Sequence, residues 1–271
     1  MDNVVPSFLP AFLLKKFERF LPNKTVQKLS LKDKIFTIDD KIFLAPILEN
    51  SFSEINGLTA LFSRLKISTS GKVALDIGGN IGMYASSMLM AGFEHVHIFE
   101  PNTEIKHYLE NNLHNFDDQS YTSHYYGIAQ KSETLKLSAP NYATKRKDKK
   151  FDLYNSGTKS IFGSGQNAVE CNFLAYNDIP ALKNLKHCDL IKIDVEGAEL
   201  EVVKAITLVI KKFKPLIMVE LNPNYIELNK ELLTILKSIG YKTIERTSDQ
   251  KIFNIYSDEN LFDGKDYVFS V

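Results

Sequence analysis

Residues 72–82 read Lys-Val-Ala-Leu-Asp-Ile-Gly-Gly-Asn-Ile-Gly, and residues 97–102 read His-Ile-Phe-Glu-Pro-Asn. The apolar run Val73 to Ile77 is typical of a strand that is buried on both faces of a parallel sheet. Glycines follow at once, and the next segment contains neither glycine nor proline, which predicts a helix. A second apolar run, His95 to Phe99, ends at Glu100. This order of elements predicts a nucleoside-binding site. Glycines let a ligand approach the backbone closely, N–H groups at the start of the helix can bind it, and the acid can accept hydrogen bonds from ribose hydroxyls.

The chemistry of the turn indicates which nucleoside. Its pattern is Asp76-x-Gly78-x-Asn80-x-Gly82, whereas dinucleotide-binding domains carry G-x-G-x-x-G. The charge of Asp76 is unfavourable beside a pyrophosphate but suits a cationic ligand, such as the amino group and sulfonium of S-adenosylmethionine. No Gly-Lys-Ser/Thr follows, so the turn is not a P-loop. The pattern therefore favours S-adenosylmethionine over a dinucleotide as the ligand. It also favours a ligand-binding turn over a tight βα turn that binds nothing.

Three segments together resemble the FkbM-type S-adenosylmethionine-dependent methyltransferases. They are residues 76–85, residues 98–102, and Leu190-Ile-Lys-Ile-Asp-Val-Glu-Gly-Ala-Glu199, of which Lys192 to Gly197 is the most specific part. The resemblance covers about Val73 to Asn222. It implies an α/β, class I (Rossmann-like) methyltransferase fold, with a mostly parallel seven-stranded sheet and helices on both faces. It also implies O-methylation of sugar or natural-product hydroxyls.

The resemblance and the motif positions give a set of expected cofactor-binding residues at the glycine turn, at the end of the second strand and after the third. Residues just after the third strand contact the adenine ring in the family. The set is Asp76, Gly78, Asn80, Gly82, Tyr84, Glu100, Pro101, Asn102, Ile128 and Ala129.

Acids end four predicted strands. Asp76, Glu100, Asp194 and Glu220 follow strands one, two, four and five, and ligands of open α/β sheets bind beyond such carboxyl ends. With the first two assigned to the cofactor, Asp194, Lys192 and Glu196 become the catalytic candidates.

Two catalytic routes remain open. In the first, Asp194, or a nearby histidine, is the general base, and Lys192 holds the substrate or offsets negative charge. In the second, Asp194, Glu220 and Asn222 bind Mg²⁺ or another divalent cation that lowers the pKa of the acceptor hydroxyl. Mutual pairing of Lys192 with Glu196, which would only stiffen the turn, is an equally good explanation of Glu196.

Local patterns predict the remaining core elements. The predicted strands are Tyr121 to Ile128, Val169 to Leu174, Leu190 to Ile193, Pro215 to Val219, Tyr241 to Glu245 and Ile252 to Tyr256, the last two as an antiparallel pair. The predicted helices are Phe52 to Leu65, Thr103 to Asn115, Gly197 to Ile210 and Tyr225 to Ile239.

We expect residues 1–70 to form a helical and hairpin extension packed on a methyltransferase domain at 71–271. Lys34 to Leu44 alternates around Asp39-Asp40, which predicts a hairpin. Ser7 to Leu21 reads as an amphipathic helix that suits its own domain better than a membrane surface or a contact in a homo-oligomer. The basic run Lys145 to Lys150 suits either a solvated loop or a site for a substrate diphosphate.

Composition narrows the function. The 271 residues carry 33 basic and 33 acidic side chains, and this zero net charge argues against a nucleic-acid partner. The sequence contains two cysteines without C-x-x-C spacing, which is typical of a reducing compartment. It contains no long apolar run and no basic leader, so we expect a cytoplasmic protein with no transmembrane segment. The expected substrate is a small carbohydrate, such as a nucleotide-sugar for capsular polysaccharide biosynthesis. The alternatives are a lipid or polyketide hydroxyl, or a cofactor-binding module without turnover.

Overall fold

The computed structural model describes the backbone of residues 3–6, 27–31 and 34–38, and describes residues 58–65, 72–138, 161, 168–256 and 263–271 with their side chains. The strands are β1 (Asn3–Pro6), β2 (Gln27–Leu31), β3 (Lys34–Ile38), β4 (Val73–Ile77), β5 (His95–Phe99), β6 (Tyr121–His124), β7 (Gly127–Ile128), β8 (Glu133–Leu137), β9 (Val169–Leu174), β10 (Leu190–Ile193), β11 (Leu216–Glu220), β12 (Thr243–Arg246), β13 (Ile252–Asn254) and β14 (Asp266–Ser270). The α-helices are α1 (58–64), α2 (Met83–Met90), α3 (Lys106–Leu113), α4 (Pro180–Lys183), α5 (Glu199–Ala205), α6 (Thr207–Phe213) and α7 (Ile226–Ile239).

An eight-stranded sheet forms the centre, in the order β13-β12-β14-β11-β10-β4-β5-β6. The five strands from β11 to β6 are parallel, and β14, β12 and β13 extend the sheet by antiparallel pairing. The predicted methyltransferase-like α/β fold is therefore confirmed. The predicted count of seven strands is wrong, because the sheet is mixed and β14 inserts between β11 and β12.

Helices cover both faces of this sheet because its central strands are apolar on both sides. One face buries α1, α2 and α3 through residues such as Phe62, Met88 and Leu109. The other buries α5, α6 and α7 through residues such as Val203 and Leu236. Burial of this kind contributes about 25 cal/mol per Å² of apolar surface.

Two predicted elements are divided. The helix expected from Gly197 to Ile210 consists of α5 and α6, with Ile206 between them in a non-helical conformation. The strand expected from Tyr121 to Ile128 ends at His124, and β7 pairs with β9 in a separate sheet of order β7-β9-β8. Gly127 permits this second pairing, since a Cβ there would lie 2.3 Å from the Phe173 ring. The predicted end of α7 at Gly240 is confirmed, with a φ of 109°.

The N-terminal region contains a three-stranded sheet of order β1-β2-β3. The predicted hairpin placed the turn at Asp39-Asp40, but β3 pairs antiparallel with β2, which precedes it. The second half of that predicted hairpin, the helix predicted at Ser7 to Leu21 and the basic run Lys145 to Lys150 lie outside the described residues. None of the described helices combines the length and the apolar character needed to span a bilayer.

Candidate active site

A cavity of about 310 Å³ opens where β4, β5 and β10 end. Most of the expected cofactor-binding residues line it, as do all three catalytic candidates. The lining includes Gly78, Asn80, Tyr84, Glu100, Pro101, Asn102, Ile128, Ala129, Lys192, Asp194 and Glu196. Asp76, Gly82, Glu220 and Asn222 are not among the lining residues.

The glycine turn fits between its neighbours without room for a side chain. A Cβ on Gly78 would lie 1.9 Å from the carbonyl oxygen of Asp194, and one on Gly79 would lie 2.2 Å from Ile98. The N–H groups of both glycines donate to the carbonyl of Phe99, at 2.9 and 3.1 Å. The turn therefore brings bare backbone against the cavity, as a closely bound ligand requires. Gly82 instead is the N-cap residue just before α2, with a φ of 86°.

Glu100 is the fixed acid at one end of the cavity. Its side chain accepts hydrogen bonds from the N–H groups of Asn80 and Asn102, both at 2.8 Å. Burial raises the pKa of Glu100 to about 7, and these two hydrogen bonds oppose that effect. The carboxylate oxygens retain lone pairs that can accept ribose hydroxyls.

Two further polar atoms beside Glu100 are orphaned. Asn80 Oδ1 and Asn102 Nδ2 are buried and have no hydrogen-bond partner among the residues that the structure describes. Buried polar atoms normally have partners, and leaving one unpaired costs about 1–3 kcal/mol. One acceptor and one donor are thus available to a polar ligand at this end.

The wall next to Glu100 is apolar, as a nucleobase requires. Phe99, Ile128 and Ala129 contribute to it, as predicted for the last two, and the small sheet adds Leu135 and Phe173. The sequence prediction missed the residues from β8 and β9. The alternation of apolar residues along β8 was the available signal, since alternate side chains of a strand share a face.

Lys192 organises the opposite end of the cavity. Its side chain is 3% exposed, and its Nζ lies 3.4 Å from Asp76 Oδ1 and 3.4 Å from Asp194 Oδ2. It also donates a hydrogen bond to the carbonyl of Gly78 at 3.0 Å. Burial alone lowers the pKa of this ammonium, but the charges of Asp194, Asp76 and Asp266 raise it above its usual value. Lys192 is therefore a charged, fixed component of the site.

Asp76 forms an ion pair with Lys192. It is fully buried, and Nζ of Lys192 lies 3.4 Å from its Oδ1. Burial raises its pKa, and Lys192 opposes the rise. β4 and β10 pair Asp76 with Lys192 directly across the sheet, so Asp76 neutralises that lysine. Contact of Asp76 with a cationic ligand stays a prediction from the sequence.

The end near Lys192 is rich in acids. Burial, followed by the charge of Asp194, raises the pKa of Glu196 to about 8 and that of Glu220 to about 7. Glu196 has a φ of 54°, an unusual conformation for a residue other than glycine that often marks a functional turn. A cation bound here, such as a sulfonium, would lower these pKa values and would be stabilised by the carboxylates that ionise.

The comparison with known families decides the identity. Residues 76–243, more than half of the chain, match the Methyltransferase FkbM domain. The chain belongs to the FkbM methyltransferase family. The resemblance that the glycine turn and the Lys192 to Gly197 block carried is thereby confirmed.

Several solved structures are similar to this chain at low identity. Methyltransferase FkbM from Methylobacillus flagellatus KT is 17% identical, with a TM-score of 0.47; the match covers 84% of this chain and 60% of that one, less than two thirds of its length. TYW2 of M. jannaschii in complex with AdoMet is 12% identical, with 92% and 84% covered and a TM-score of 0.44. The Pyrococcus abyssi tRNA (uracil-54, C5)-methyltransferase in complex with S-adenosyl-L-homocysteine is 12% identical, with 92% and 44% covered and a TM-score of 0.43. At these values the likenesses do not bear on function. No curated protein matches the chain significantly.

The residues of this FkbM-family site fit S-adenosylmethionine. Glu100, with the orphaned atoms of Asn80 and Asn102, suits the ribose and its surroundings, and the apolar wall suits adenine. The acid-rich end near Asp194 and Glu196 suits the sulfonium.

Two of the residues predicted to bind a divalent cation already have other partners. Oδ1 of Asn222 accepts the N–H of Asn224 at 2.9 Å, and the ammonium of Lys192 already lies beside Asp194. Within the described ranges, no group of three or more His, Cys, Asp and Glu side chains is placed to share an ion. The predicted Mg²⁺ site at Asp194, Glu220 and Asn222 therefore has no support. None of the described lining residues is a histidine either.

Proposed function

We propose that this protein transfers the methyl group of S-adenosylmethionine to a hydroxyl of a sugar. The observation that carries the proposal is one cavity that is lined by Glu100, just after β5, and by Lys192, Asp194 and Glu196, in and just after β10. A nucleoside held at Glu100 directs the rest of the cofactor toward those three side chains. The acceptor then approaches from the Asp194 side.

The chain supplies positioning and proton transfer. Bound S-adenosylmethionine would supply a methyl group on a sulfonium, and the bond from that methyl carbon to the acceptor oxygen would form as the carbon–sulfur bond breaks and S-adenosylhomocysteine leaves. Glu100 and Asn102 hold the nucleoside, and alignment of the two reactants accounts for much of the acceleration. Asp194 accepts the proton of the hydroxyl, and Lys192, 3.4 Å from Asp194 Oδ2, keeps that carboxylate in place.

Glu196 gives the site a second proton acceptor. Its pKa of about 8 lies close to neutral pH, so the ionised form, which is the one that accepts a proton, increases as the pH rises from 7 to 8. Two neighbouring carboxyl groups can also accept hydrogen bonds from adjacent hydroxyls, which a sugar offers and a simple alcohol lacks. This favours a carbohydrate acceptor, for instance a nucleotide-sugar used in capsular polysaccharide synthesis. The role of Lys145 to Lys150 in binding its diphosphate stays a prediction from the sequence.

A transfer screen tests the proposal. The protein is incubated with radiolabelled S-adenosylmethionine and a panel of nucleotide-sugars, with and without EDTA. Methylation of a nucleotide-sugar by the wild type, lost in Asp194→Asn and kept in the exposed control Glu227→Gln, is the expected result.

Three other outcomes of the screen would each support a different function or mechanism. Parallel arms contain lipid and polyketide alcohols, and labelling confined to those arms would assign the enzyme to apolar acceptors. Binding of S-adenosylhomocysteine without transfer to any class would indicate a cofactor-binding module. Activity that EDTA removes would restore the metal route.

A further inference from the structure

Tyr84, Lys192 and Asp266 come from distant parts of the chain and meet at the acid-rich end of the cavity. Tyr84 lies in the first turn of α2, Lys192 lies in β10, and Asp266 begins β14. The Tyr84 hydroxyl donates a hydrogen bond to Asp266 Oδ2 at 3.2 Å. Nζ of Lys192 lies over the Tyr84 ring, 4.3 Å from its centre. The ring is thus tied to a carboxylate at its hydroxyl and contacts an ammonium at its face.

The position of the Lys192 ammonium depends on these neighbours. An ammonium has three N–H donors, and here three oxygens surround it, from Gly78 at 3.0 Å and from Asp76 and Asp194 at 3.4 Å each. The Tyr84 ring adds a cation–π contact. Because a buried charge is stable only with well-placed partners, moving the ring would also move the ammonium and the Asp194 carboxylate beside it.

Asp266 is suited to hold the ring because its own backbone is fixed. It pairs with Glu220 across β11 and β14, and its carbonyl accepts the N–H of Thr247 at 3.0 Å. Its carboxyl group is partly buried, and burial followed by the charge of Asp194 raises its pKa. The carboxyl group therefore stands on a rigid strand, in the same electrostatic environment as Asp194.

We propose that Asp266 is a positioning residue for methyl transfer. By accepting the Tyr84 hydroxyl it keeps the ring against Lys192, and so fixes the ammonium beside Asp194. The inference rests on the proposed function only in taking Asp194 as the group that acts on the acceptor. Its structural half, the placing of Lys192, is testable without any acceptor.

The test reads the surroundings of Lys192 by NMR in the full-length chain labelled with ¹³C at the lysine Cε. The Lys192 resonance is the one absent from Lys192→Met, and the ring current of Tyr84 displaces it from the position of exposed lysines. Asp266→Ala is expected to move it toward that position. Tyr84→Phe should move it in the same way, and the double variant should add nothing, because both changes break one interaction. Asp266→Asn keeps an acceptor oxygen and should keep the wild-type resonance.

A matched control comes from a second tyrosine–aspartate pair. The Tyr121 hydroxyl donates to Asp118 Oδ1 at 3.3 Å in an exposed position away from the cavity. Asp118→Asn should therefore leave the Lys192 resonance unchanged. Thermal unfolding and S-adenosylhomocysteine titration of every variant show that each one is folded. If Asp266→Ala does not fold, Tyr84→Phe decides the question.

An unchanged resonance in Asp266→Ala would overturn the inference. A displacement in Asp266→Asn as large as that in Asp266→Ala would do so too, since it would show that the charge acts and not the hydrogen bond. With an acceptor identified, Asp266→Ala is expected to lower kcat by up to about 10²-fold with KM kept. If no sugar is methylated, the proposed function fails while the NMR result still decides the role of Asp266.

Discussion

Gly78 joins two parts of the site, and its replacement by alanine should disturb both. A Cβ at this position would lie 1.9 Å from the carbonyl oxygen and 2.9 Å from the carbonyl carbon of Asp194. These are backbone atoms, so the turn after β4 and the turn after β10 would have to separate. The hydrogen bond from Lys192 to the carbonyl of Gly78, at 3.0 Å, would be strained by the same movement.

The size of the effect follows from comparison with Gly92. Gly78 has a φ of +83° and Gly92 has a φ of +89°, so alanine at either position costs about 1–2 kcal/mol of left-handed strain. A Cβ on Gly92 would meet nothing within 4 Å, whereas Gly78→Ala adds an overpacking cost of about 1–3 kcal/mol. We expect Gly78→Ala to lose about 2–5 kcal/mol of unfolding free energy and Gly92→Ala about 1–2 kcal/mol.

Thermal unfolding and isothermal titration measure the two consequences. At about 2–4 °C per kcal/mol, the Tm of Gly78→Ala should fall roughly 4–20 °C. Its affinity for S-adenosylhomocysteine should fall as well, while Gly92→Ala binds like the wild type. Equal losses of Tm in the two variants, with equal binding, would refute the close packing of the glycine turn against Asp194.

Three further predictions concern the cavity. Asp194→Asn should lower methyl transfer by about 10²–10⁴-fold while S-adenosylhomocysteine still binds; full activity would remove Asp194 from the mechanism. Gly127→Ala places a Cβ 2.3 Å from the Phe173 ring and should push that ring into the cavity; titration should show weaker binding of S-adenosylhomocysteine, restored by Phe173→Ala in the same chain. The pKa values of Glu100 and Glu196, about 7 and about 8 against an ordinary 4.5, mean that the folded state binds more protons than the unfolded state. Their contribution to stability is therefore complete below pH 4.5 and is lost as the pH rises through 7 and 8. Urea denaturation of the ligand-free protein at several pH values measures this loss of unfolding free energy. Glu196→Gln should make the unfolding free energy depend less steeply on pH. An unfolding free energy that rises between pH 4.5 and pH 8 would contradict the raised pKa values.

The parallel core was predictable because its information is local. Apart from Asp76 and Lys192, the runs Val73 to Ile77 and Leu190 to Ile193 are apolar, which is typical of strands that are covered on both faces. The glycine turn carried its own signal, since Gly78 takes a conformation that other residues rarely adopt. These local features were sufficient for the fold class and for one end of the cavity.

The missed elements depend on contacts between distant residues. The apolar run in Asp266–Ser270 is short, and nothing near it in sequence shows that it inserts between β11 and β12. Asp266 was consequently absent from the predicted site, although it lies beside Glu220 in the folded sheet. The division at Tyr125 and Tyr126 likewise arises from pairing of β7 with β9.

The pairing of Asp76 with Lys192 could have been predicted from the sequence. Lys192 and Asp194 are two residues apart in one strand and its end, so they share a face of the sheet. Register then places Lys192 opposite Asp76. A lysine that lies near two acids at the end of a strand can form an internal ion pair instead of contacting a ligand. Here Lys192 pairs with Asp76 and Asp194.

The most direct test of the account is titration of S-adenosylhomocysteine into the wild type and into Glu100→Ala at neutral pH. Saturable binding to one site is predicted for the wild type. Hydrogen bonds to a charged group contribute about 1.5–3 kcal/mol each, so loss of two ribose contacts should weaken binding by at least about 100-fold. A wild type that does not bind the nucleoside, or a Glu100→Ala variant that binds it equally well, would contradict the account.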